Sequence, residues 1–174
     1  MGTISHYDPD RDQDDLIALM HGYRELTYER APPFDHPVVD QKYGDEPFAK
    51  MLRDLAATHA RPTGSILMVH NGEVAVGCGM TNPINQNTCE IQRVFLSADA
   101  RGLGLGKSLI AALIDQATED GYERIELNTI SILHEAIVLY GKFGFRPCEP
   151  YFDFSAKVEA ELLFLGLDIA DRLQ

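Results

Sequence analysis

The chain has 174 residues, 45% of them hydrophobic and 24% charged, which is enough for one globular domain with a buried core. The formal net charge of −12 argues against a nucleic-acid partner because phosphate contacts need clustered Lys and Arg, although it suits a cationic amine as substrate. Three cysteines without metal-site spacing, no apolar run of membrane-spanning length and no secretory pattern near the start predict a reduced, cytoplasmic protein with no membrane partner.

The N-terminal part of the chain predicts one weak strand and two helices. Residues 3–7 alternate weakly, and an amphipathic helix runs from Asp12 to about Glu29, with apolar residues every three or four positions. Residues 31–37 hold three prolines and are expected to form a loop that cannot be helical. Glu46-Pro47 suits the first turn of a second helix, which ends before Gly64.

The middle of the chain predicts three antiparallel strands. Residues 65–70 and 73–80 are short β-type runs, and Asn71-Gly72 between them is a strong hairpin signal. A turn-rich loop over residues 81–88 leads to a third run over residues 89–96. Nothing helical separates the three runs, so they form a meander rather than a βαβ unit.

The remaining elements predict a mixed α/β sheet. A glycine-rich loop is followed by an apolar helix face that ends at Gly121, and then by a strand over residues 124–128. A helix over residues 134–143 is closed by Gly144, and a last strand falls within residues 161–167. Antiparallel strands followed by strand–helix–strand are typical of an α/β fold with a mixed sheet.

The glycine-rich loop has the sequence RGLGLGKS over residues 101–108. Glycines at alternate positions before a helix N-terminus are typical of an anion cradle. A Walker A loop would need glycine where Arg101 stands, and a dinucleotide fingerprint starting at Gly102 would need glycine where Lys107 stands. Both of these phosphate-binding motifs therefore fail.

Four segments then follow one another in a recognisable order: EIQRVFL at residues 90–96, RGLGLGKSL at 101–109, GYERIELNT at 121–129, and AIVLYGKFGF at 136–145 with Pro150-Tyr151 behind it. Together they resemble the GNAT superfamily of acyl-CoA N-acyltransferases. The resemblance covers an acetyl-CoA core of about residues 65–151 within a single domain of residues 1–174. It implies a central, mostly antiparallel, twisted sheet flanked by helices.

The resemblance implies acetyl-CoA as the acyl-donor cosubstrate. In this family the glycine loop binds the CoA pyrophosphate through its backbone N–H groups, and the preceding strand pairs with the pantetheine through its main chain. A strand N–H also holds the thioester oxygen as it becomes an oxyanion. The cofactor-binding residues implied in this chain are Val94, Phe95, Leu96, Arg101, Gly102, Leu103, Gly104, Leu105, Gly106, Lys107, Ser108 and Asn128.

The resemblance also implies two catalytic residues. Tyr140 matches the tyrosine that protonates the departing CoA thiolate; from the sequence alone it would be an inward aromatic of a helix. Glu90 matches a strand glutamate that acts as the base, against the alternative of a solvent-facing residue or an ion pair with Arg93. Asn128 stands where other members carry an acid, and since an amide cannot act as a base, Glu90 and bulk water remain the candidates.

The implied reaction is direct acetyl transfer to a primary amine, of a small molecule or a peptide, in a ternary complex. Leu133 stands where many members carry an Asn, which keeps a non-catalytic acyl-CoA-binding module open as an alternative; a P-loop nucleotide-binding protein is a second one. The histidines lack ligand spacing, so no metal is predicted, and dimerisation is common in the family and stays open here. Candidate acceptor-pocket residues are Tyr23, Tyr28, Glu29, Phe34 and Tyr151.

Overall fold

A computed structural model of the chain describes residues 2–100, 102–153, 157–158 and 160–172, without the side chains of the last two. The strands are β1 (Gly2–His6), β2 (Ser65–Asn71), β3 (Val74–Pro83), β4 (Thr88–Leu96), β5 (Arg124–Ile130), β6 (Arg146–Pro147) and β7 (Leu162–Asp168). The helices are α1 (Pro9–Arg30), α2 (His36–Tyr43), α3 (Asp45–Thr58), α4 (Leu105–Glu119) and α5 (His134–Lys142). Short 3₁₀ turns lie at Pro33–Asp35, Ala98–Ala100 and Ile169–Arg172.

Within the described residues, seven strands form one sheet in the order β1-β2-β3-β4-β5-β7-β6. All neighbours are antiparallel except β4 and β5, which run parallel because α4 crosses over between them. The predicted mixed, mostly antiparallel sheet and the predicted meander of β2, β3 and β4 are confirmed. The short edge strand β6 was not predicted, and β3 continues into the segment expected to be a loop.

Side chains from the two faces of the sheet fill two separate cores, as the alternation of a pleated strand requires. Leu67 and Val69 of β2 join a cluster with α4, while Ile66 and Met68 join a cluster with α1, α2 and α3. The helices therefore cover both faces. In the described part of the chain no helix combines the length and the apolar character that crossing a bilayer requires.

The prediction that residues 31–37 cannot be helical is wrong. Pro33 opens a 3₁₀ turn and Pro37 lies in the first positions of α2. The first N–H groups of a helix have no intrahelical partner, so a proline there loses no hydrogen bond, and its fixed φ suits the helix. Prolines read as breakers therefore start helical segments, and α2 carries Tyr43 into the core of this face.

The parallel pair in the middle of the sheet opens up along its length. Its register covers three pairs, Thr88–Arg124, Cys89–Ile125 and Glu90–Glu126. Beyond Glu90 the described register holds no further pair between β4 and β5, although β4 continues to Leu96 and β5 to Ile130. The sheet thus contains a wedge-shaped opening with Glu90 at its narrow end and unpaired strand edges along its sides.

Candidate active site

The N-terminus of α4 lies behind the wide end of this opening. Gly104 is the N-cap, no side chain caps the first turn, and the first turn carries no acidic residue. The other long helices, α1, α3 and α5, each have Asp or Glu in the first turn. Free N–H groups and an uncompensated helix dipole make the start of α4 suited to an anion.

Two glycines of the loop hold conformations that other residues rarely adopt. Gly102 has φ of +76° and Gly104 has φ of +75°, in the left-handed region where a Cβ costs roughly 1–2 kcal/mol. Gly106 has a different role, because a Cβ built on it would lie 3.3 Å from Leu96 Cδ1 and 3.7 Å from Leu139 Cδ2. The helix start is therefore packed closely between the end of β4 and α5.

The predicted loop residues are distributed between solvent and core. Leu105 is buried in the α4 cluster, whereas Leu103, Lys107 and Ser108 are exposed around the helix start. The Ser108 hydroxyl donates to the carbonyl of Gly104 at 3.4 Å. Arg101 lies outside the described residues. The glycine loop thus offers backbone donors and one cation, Lys107, to an anion at the helix start.

The end of β4 supplies the side of the opening. Phe95 is buried against α1, with its ring 6.3 Å from that of Tyr23, while Val94 and Leu96 pack against the α4 cluster. These side chains pack against the cores as expected, with Phe95 buried and Val94 and Leu96 partly buried. An extended molecule lying along the unpaired edge of β4 would meet backbone N–H and C=O groups, as an added strand does.

Glu90, at the narrow end of the opening, is buried and held by three hydrogen bonds. The Tyr151 hydroxyl donates to its Oε1 at 2.6 Å and Asn128 Nδ2 donates to the same oxygen at 2.8 Å. Gln92 Nε2 donates to Oε2. The solvent-facing alternative for Glu90 is therefore wrong, since only 8% of the residue is exposed, and its partners are these groups rather than Arg93.

Asn128 and Tyr151 are tied to each other as well as to Glu90. Asn128 Nδ2 lies 3.1 Å from the Tyr151 oxygen, so the three side chains form a closed triangle across the opening between β4 and β5. Burial and the hydrogen bond to Glu90 raise the pKa of Tyr151, which keeps its proton. The Asn128 amide is thus used to hold the carboxylate, and its contact with the cofactor stays a prediction.

Tyr140 lies on the last turn of α5 and is buried, with its ring 5.9 Å from that of Phe145. Its pKa is raised, chiefly by burial and then by Tyr23. The Tyr140 hydroxyl forms no hydrogen bond with a described residue. It is also not fully enclosed by the described residues. The phenol is therefore protonated at neutral pH and free to donate.

A second polar chain continues from Gln92 into the protein. Arg93 Nη1 donates to Gln92 Oε1 at 2.7 Å and to His59 Nε2 at 3.2 Å, and His59 Nδ1 lies 2.9 Å from the carbonyl of Thr81. Since Nε2 accepts, His59 carries its proton on Nδ1 and is neutral. Burial first, and Arg93 as a smaller contribution, lower the pKa of His59.

Of the five candidate acceptor-pocket residues, Tyr151 contacts Glu90, and Tyr23 lies beside Tyr43 and Phe95. Tyr28 instead bonds to Asp40, and Glu29 and Phe34 are exposed. Sequence reasoning missed four residues that lie near Glu90, namely Lys42, Tyr43, His59 and Gln92. Gln92 alternates with Glu90 in an otherwise apolar strand, which was the available signal, whereas the other three come from α2 and the end of α3 and had none.

The cysteines do not provide a nucleophile for an acyl-enzyme. Cys78 and Cys89 are buried, and burial raises the pKa of each thiol to about 12. Burial also raises the pKa of the half-buried Cys148. In the described part of the chain no group of three or more His, Cys, Asp or Glu is arranged to hold a metal ion.

A cavity of about 400 Å³ lies away from this site, where β5, β6 and β7 meet. Its lining includes Arg124, but the guanidinium is already paired with Glu126 at 2.8 Å and Asp168 at 2.7 Å. A satisfied surface arginine gives no reason to place chemistry there. The opening between β4 and β5, which runs from the uncapped start of α4 to a buried carboxylate, is the better candidate.

Comparison with known proteins agrees with this geometry. A curated relative, an uncharacterised N-acetyltransferase of Schizosaccharomyces pombe, is 30% identical over 75% of this chain and 78% of its own length. A Staphylococcus aureus GNAT acetyltransferase structure has 18% identity and a TM-score of 0.72 over 97% of this chain and 99% of its own. The PaiA N-acetyltransferase of Thermoplasma acidophilum, solved with coenzyme A, has 16% identity and a TM-score of 0.70 over the same shares. The model of the acetyltransferase (GNAT) family matches residues 23–145, and this chain therefore belongs to that family.

Proposed function

We propose that the protein transfers an acetyl group from acetyl-CoA to a primary amine. The observation that carries this proposal is the opening between β4 and β5, with the uncapped start of α4 at its wide end and the buried carboxylate of Glu90 at its narrow end. An acyl-CoA has a matching order of groups: a pyrophosphate, an extended pantetheine and a thioester. Family membership and the coenzyme A bound to the Thermoplasma relative support the same donor.

The pyrophosphate is assigned to the N–H groups of residues 102–107, with the helix dipole and Lys107 adding positive charge. Gly102 and Gly104 let the backbone turn its donors toward one point. The pantetheine then extends along the free edge of β4, which brings the thioester to the level of Val94 and Phe95. A main-chain N–H there is the proposed donor to the developing oxyanion.

Glu90 is the proposed base. Oε1 accepts from Tyr151 and Asn128, and Oε2 accepts from Gln92. A carboxylate oxygen has two acceptor positions, so Oε2 keeps one for an amine N–H or for a bridging water. The three donors fix the direction of that remaining position, which is what an oriented base needs.

Direct transfer then proceeds in three moves. The neutral amine nitrogen attacks the thioester carbon, forming the C–N bond and passing a proton to Glu90. The tetrahedral oxyanion collapses, and the C–S bond breaks. Tyr140 gives its proton to the departing thiolate, and the protons on the two residues re-equilibrate with solvent. The raised pKa of Tyr140 does not by itself prevent this step, because burial disfavours the anion of a phenol and of a thiol alike.

The direct route is favoured over an acyl-enzyme, since Cys78 and Cys89 are not ionised near neutral pH. Isothermal titration with acetyl-CoA, followed by initial-rate kinetics on an amine library, tests the proposal. We expect one saturable site that CoA competes for and ATP does not, and intersecting rather than parallel double-reciprocal plots. Binding without turnover of any amine would instead support the non-catalytic acyl-CoA module, and no binding by folded protein would refute the donor assignment.

A further inference from the structure

Arg93 lies at an irregularity of β4 beside the proposed base. The β3–β4 register pairs Met80 with Gln92 and Cys78 with Phe95, so two residues of β4 stand opposite one residue of β3. Arg93 adopts φ of +49°, a left-handed conformation that is strained for a long side chain and costs roughly 1–3 kcal/mol. Such strain is retained where a side chain must point in a particular direction.

The guanidinium of Arg93 is only half used by the protein. Among the described residues its side-chain hydrogen bonds run from Nη1, to Gln92 and to His59. The Nε atom is buried and has no hydrogen-bond partner. Among the described residues it is the one buried side-chain nitrogen or oxygen without a partner. An unpaired buried donor is costly. Nη2, in contrast, forms no hydrogen bond with a described residue and is not an enclosed atom, so this end of the guanidinium, called the free edge below, is left for another group.

His59 fixes this orientation. The ring is 2% exposed and is anchored by its Nδ1 proton to the carbonyl of Thr81, so Nε2 must accept from Arg93. Together with Gln92 it fixes the position of Nη1. His59 is thus a positioning residue for the guanidinium.

The surroundings of this free edge are cationic, although the protein as a whole is acidic. The pKa of Lys42 in α2 is lowered, first by desolvation and then by the charge of Arg93, so the two cations lie close enough to interact. Arg93 and Lys42 carry two positive charges, and Glu90 carries one negative charge. Interactions over a few ångströms outweigh the net charge of −12, which is screened beyond a Debye length of about 8–10 Å.

We propose that the acetyl acceptor carries a carboxylate next to its amine, as an α-amino acid does, and that the free edge of Arg93 binds this carboxylate. The proposal rests on the proposed acetyl transfer. The Gln92 amide bridges the Glu90 carboxylate and Nη1 of the Arg93 guanidinium, so the proposed base and the guanidinium are near neighbours, as are the amine and the carboxylate of an amino acid. Arg93, Lys42 and Glu90 together carry one net positive charge, and one negatively charged group on the acceptor balances it. A polyamine, which the overall acidity would favour, would place a second cation beside two existing ones.

The test compares matched acceptors. Acetyl transfer by the full chain is measured with the common L-amino acids, with the corresponding amino alcohols and with diamines, at saturating acetyl-CoA. We expect an amino acid with a kcat/KM at least about tenfold above that of its amino alcohol, since a charge-assisted hydrogen bond is lost in the alcohol. Amino alcohols or diamines turned over as well as every amino acid would overturn the proposal.

Variants locate the contact. Arg93→Gln should raise KM for the amino acid by about tenfold or more while leaving KM for the amino alcohol unchanged, and Arg93→Lys should restore part of the difference. Arg53→Gln, which changes the net charge equally from an exposed position of α3, is the control and should change neither. Equal loss with both acceptors would make Arg93 merely structural and overturn the assignment; if Arg93→Gln does not fold, Arg93→Lys and the wild-type comparison decide.

Failure of acetyl transfer can be told apart from failure of this inference. Binding of the best amino acid to the protein saturated with CoA is measured by calorimetry, which needs no turnover. Carboxylate-dependent binding without turnover of any amine would refute the transferase and retain the carboxylate site. Turnover that ignores the carboxylate would retain the transferase and refute the site.

Discussion

Replacing Glu90 by Gln tests the proposed base, because it removes the charge and keeps the shape. The carboxylate accepts three hydrogen bonds, from Tyr151, Asn128 and Gln92. A glutamine keeps one acceptor oxygen for Tyr151 and Asn128 but turns an NH₂ group toward the NH₂ of Gln92. If the Gln92 amide flips, its oxygen can accept from the new NH₂ group, but its own NH₂ group then faces Arg93 Nη1, so one donor is still unsatisfied.

The magnitudes follow from this mismatch and from the lost base. One unsatisfied buried donor costs about 1–3 kcal/mol in the free energy of unfolding. Loss of an oriented general base lowers kcat by roughly 10²–10⁴-fold, which corresponds to about 3–5 kcal/mol in the activation barrier. Acetyl-CoA affinity should stay within about threefold, since the pyrophosphate and pantetheine contacts lie elsewhere.

The assay combines urea unfolding with steady-state release of CoA thiol. Glu126→Gln is the matched control: Glu126 is the β5 neighbour in register with Glu90, but it pairs with Arg124 at 2.8 Å. We expect the control to lose at most about 1 kcal/mol of stability and to keep its activity. A Glu90→Gln protein that retains wild-type kcat would refute the base assignment and leave water as the proton acceptor.

The remaining predictions concern the acid, the anion site and a buried histidine. Tyr140→Phe should lower kcat about 100-fold or more with acetyl-CoA affinity kept, whereas the buried control Tyr122→Phe should change neither kcat nor affinity. The wild type should show no loss of rate from Tyr140 ionisation below pH 10, because the folded pKa is raised above that ordinary value. Gly104→Ala should weaken acetyl-CoA binding about tenfold or more, whereas Gly121→Ala, at φ of +86° at the other end of α4, should cost similar stability and leave binding unchanged. His59 has a lowered pKa in the fold, so the unfolded chain binds the proton more tightly, and stability should fall as pH drops below the ordinary value of 6.5. In His59→Gln that part of the pH slope should vanish in unfolding titrations; an unchanged slope would contradict a buried neutral histidine.

Local signals in the sequence were enough for most of the sheet and for the start of α4. Asn71-Gly72 predicts the β2–β3 hairpin because the turn type depends on those two residues alone. The glycine loop predicts the start of α4 because positive φ and a free helix N-terminus are local properties. The Glu90 assignment needed the family resemblance in addition, and its role as the base stays a prediction.

Features that depend on tertiary packing were missed. Prolines near residue 35 are compatible with a break or with a helix start, and the sequence does not distinguish the two. Helix α2 was therefore not predicted. The contact between His59 and Arg93 joins residues 34 positions apart through a strand irregularity with no motif of its own. The opening of β4 from β5 is likewise a property of the sheet rather than of either strand.

The most direct test of the central claim is the stoichiometry of the reaction itself. The purified chain is incubated with acetyl-CoA and its best amine, and both free CoA thiol and N-acetylated amine are quantified in the same samples by mass spectrometry. The account predicts one acetylated amine for each CoA released, with both products strongly reduced in Glu90→Gln and in Tyr140→Phe. CoA release that needs no amine, or no acetylated amine from any member of the library, would contradict it.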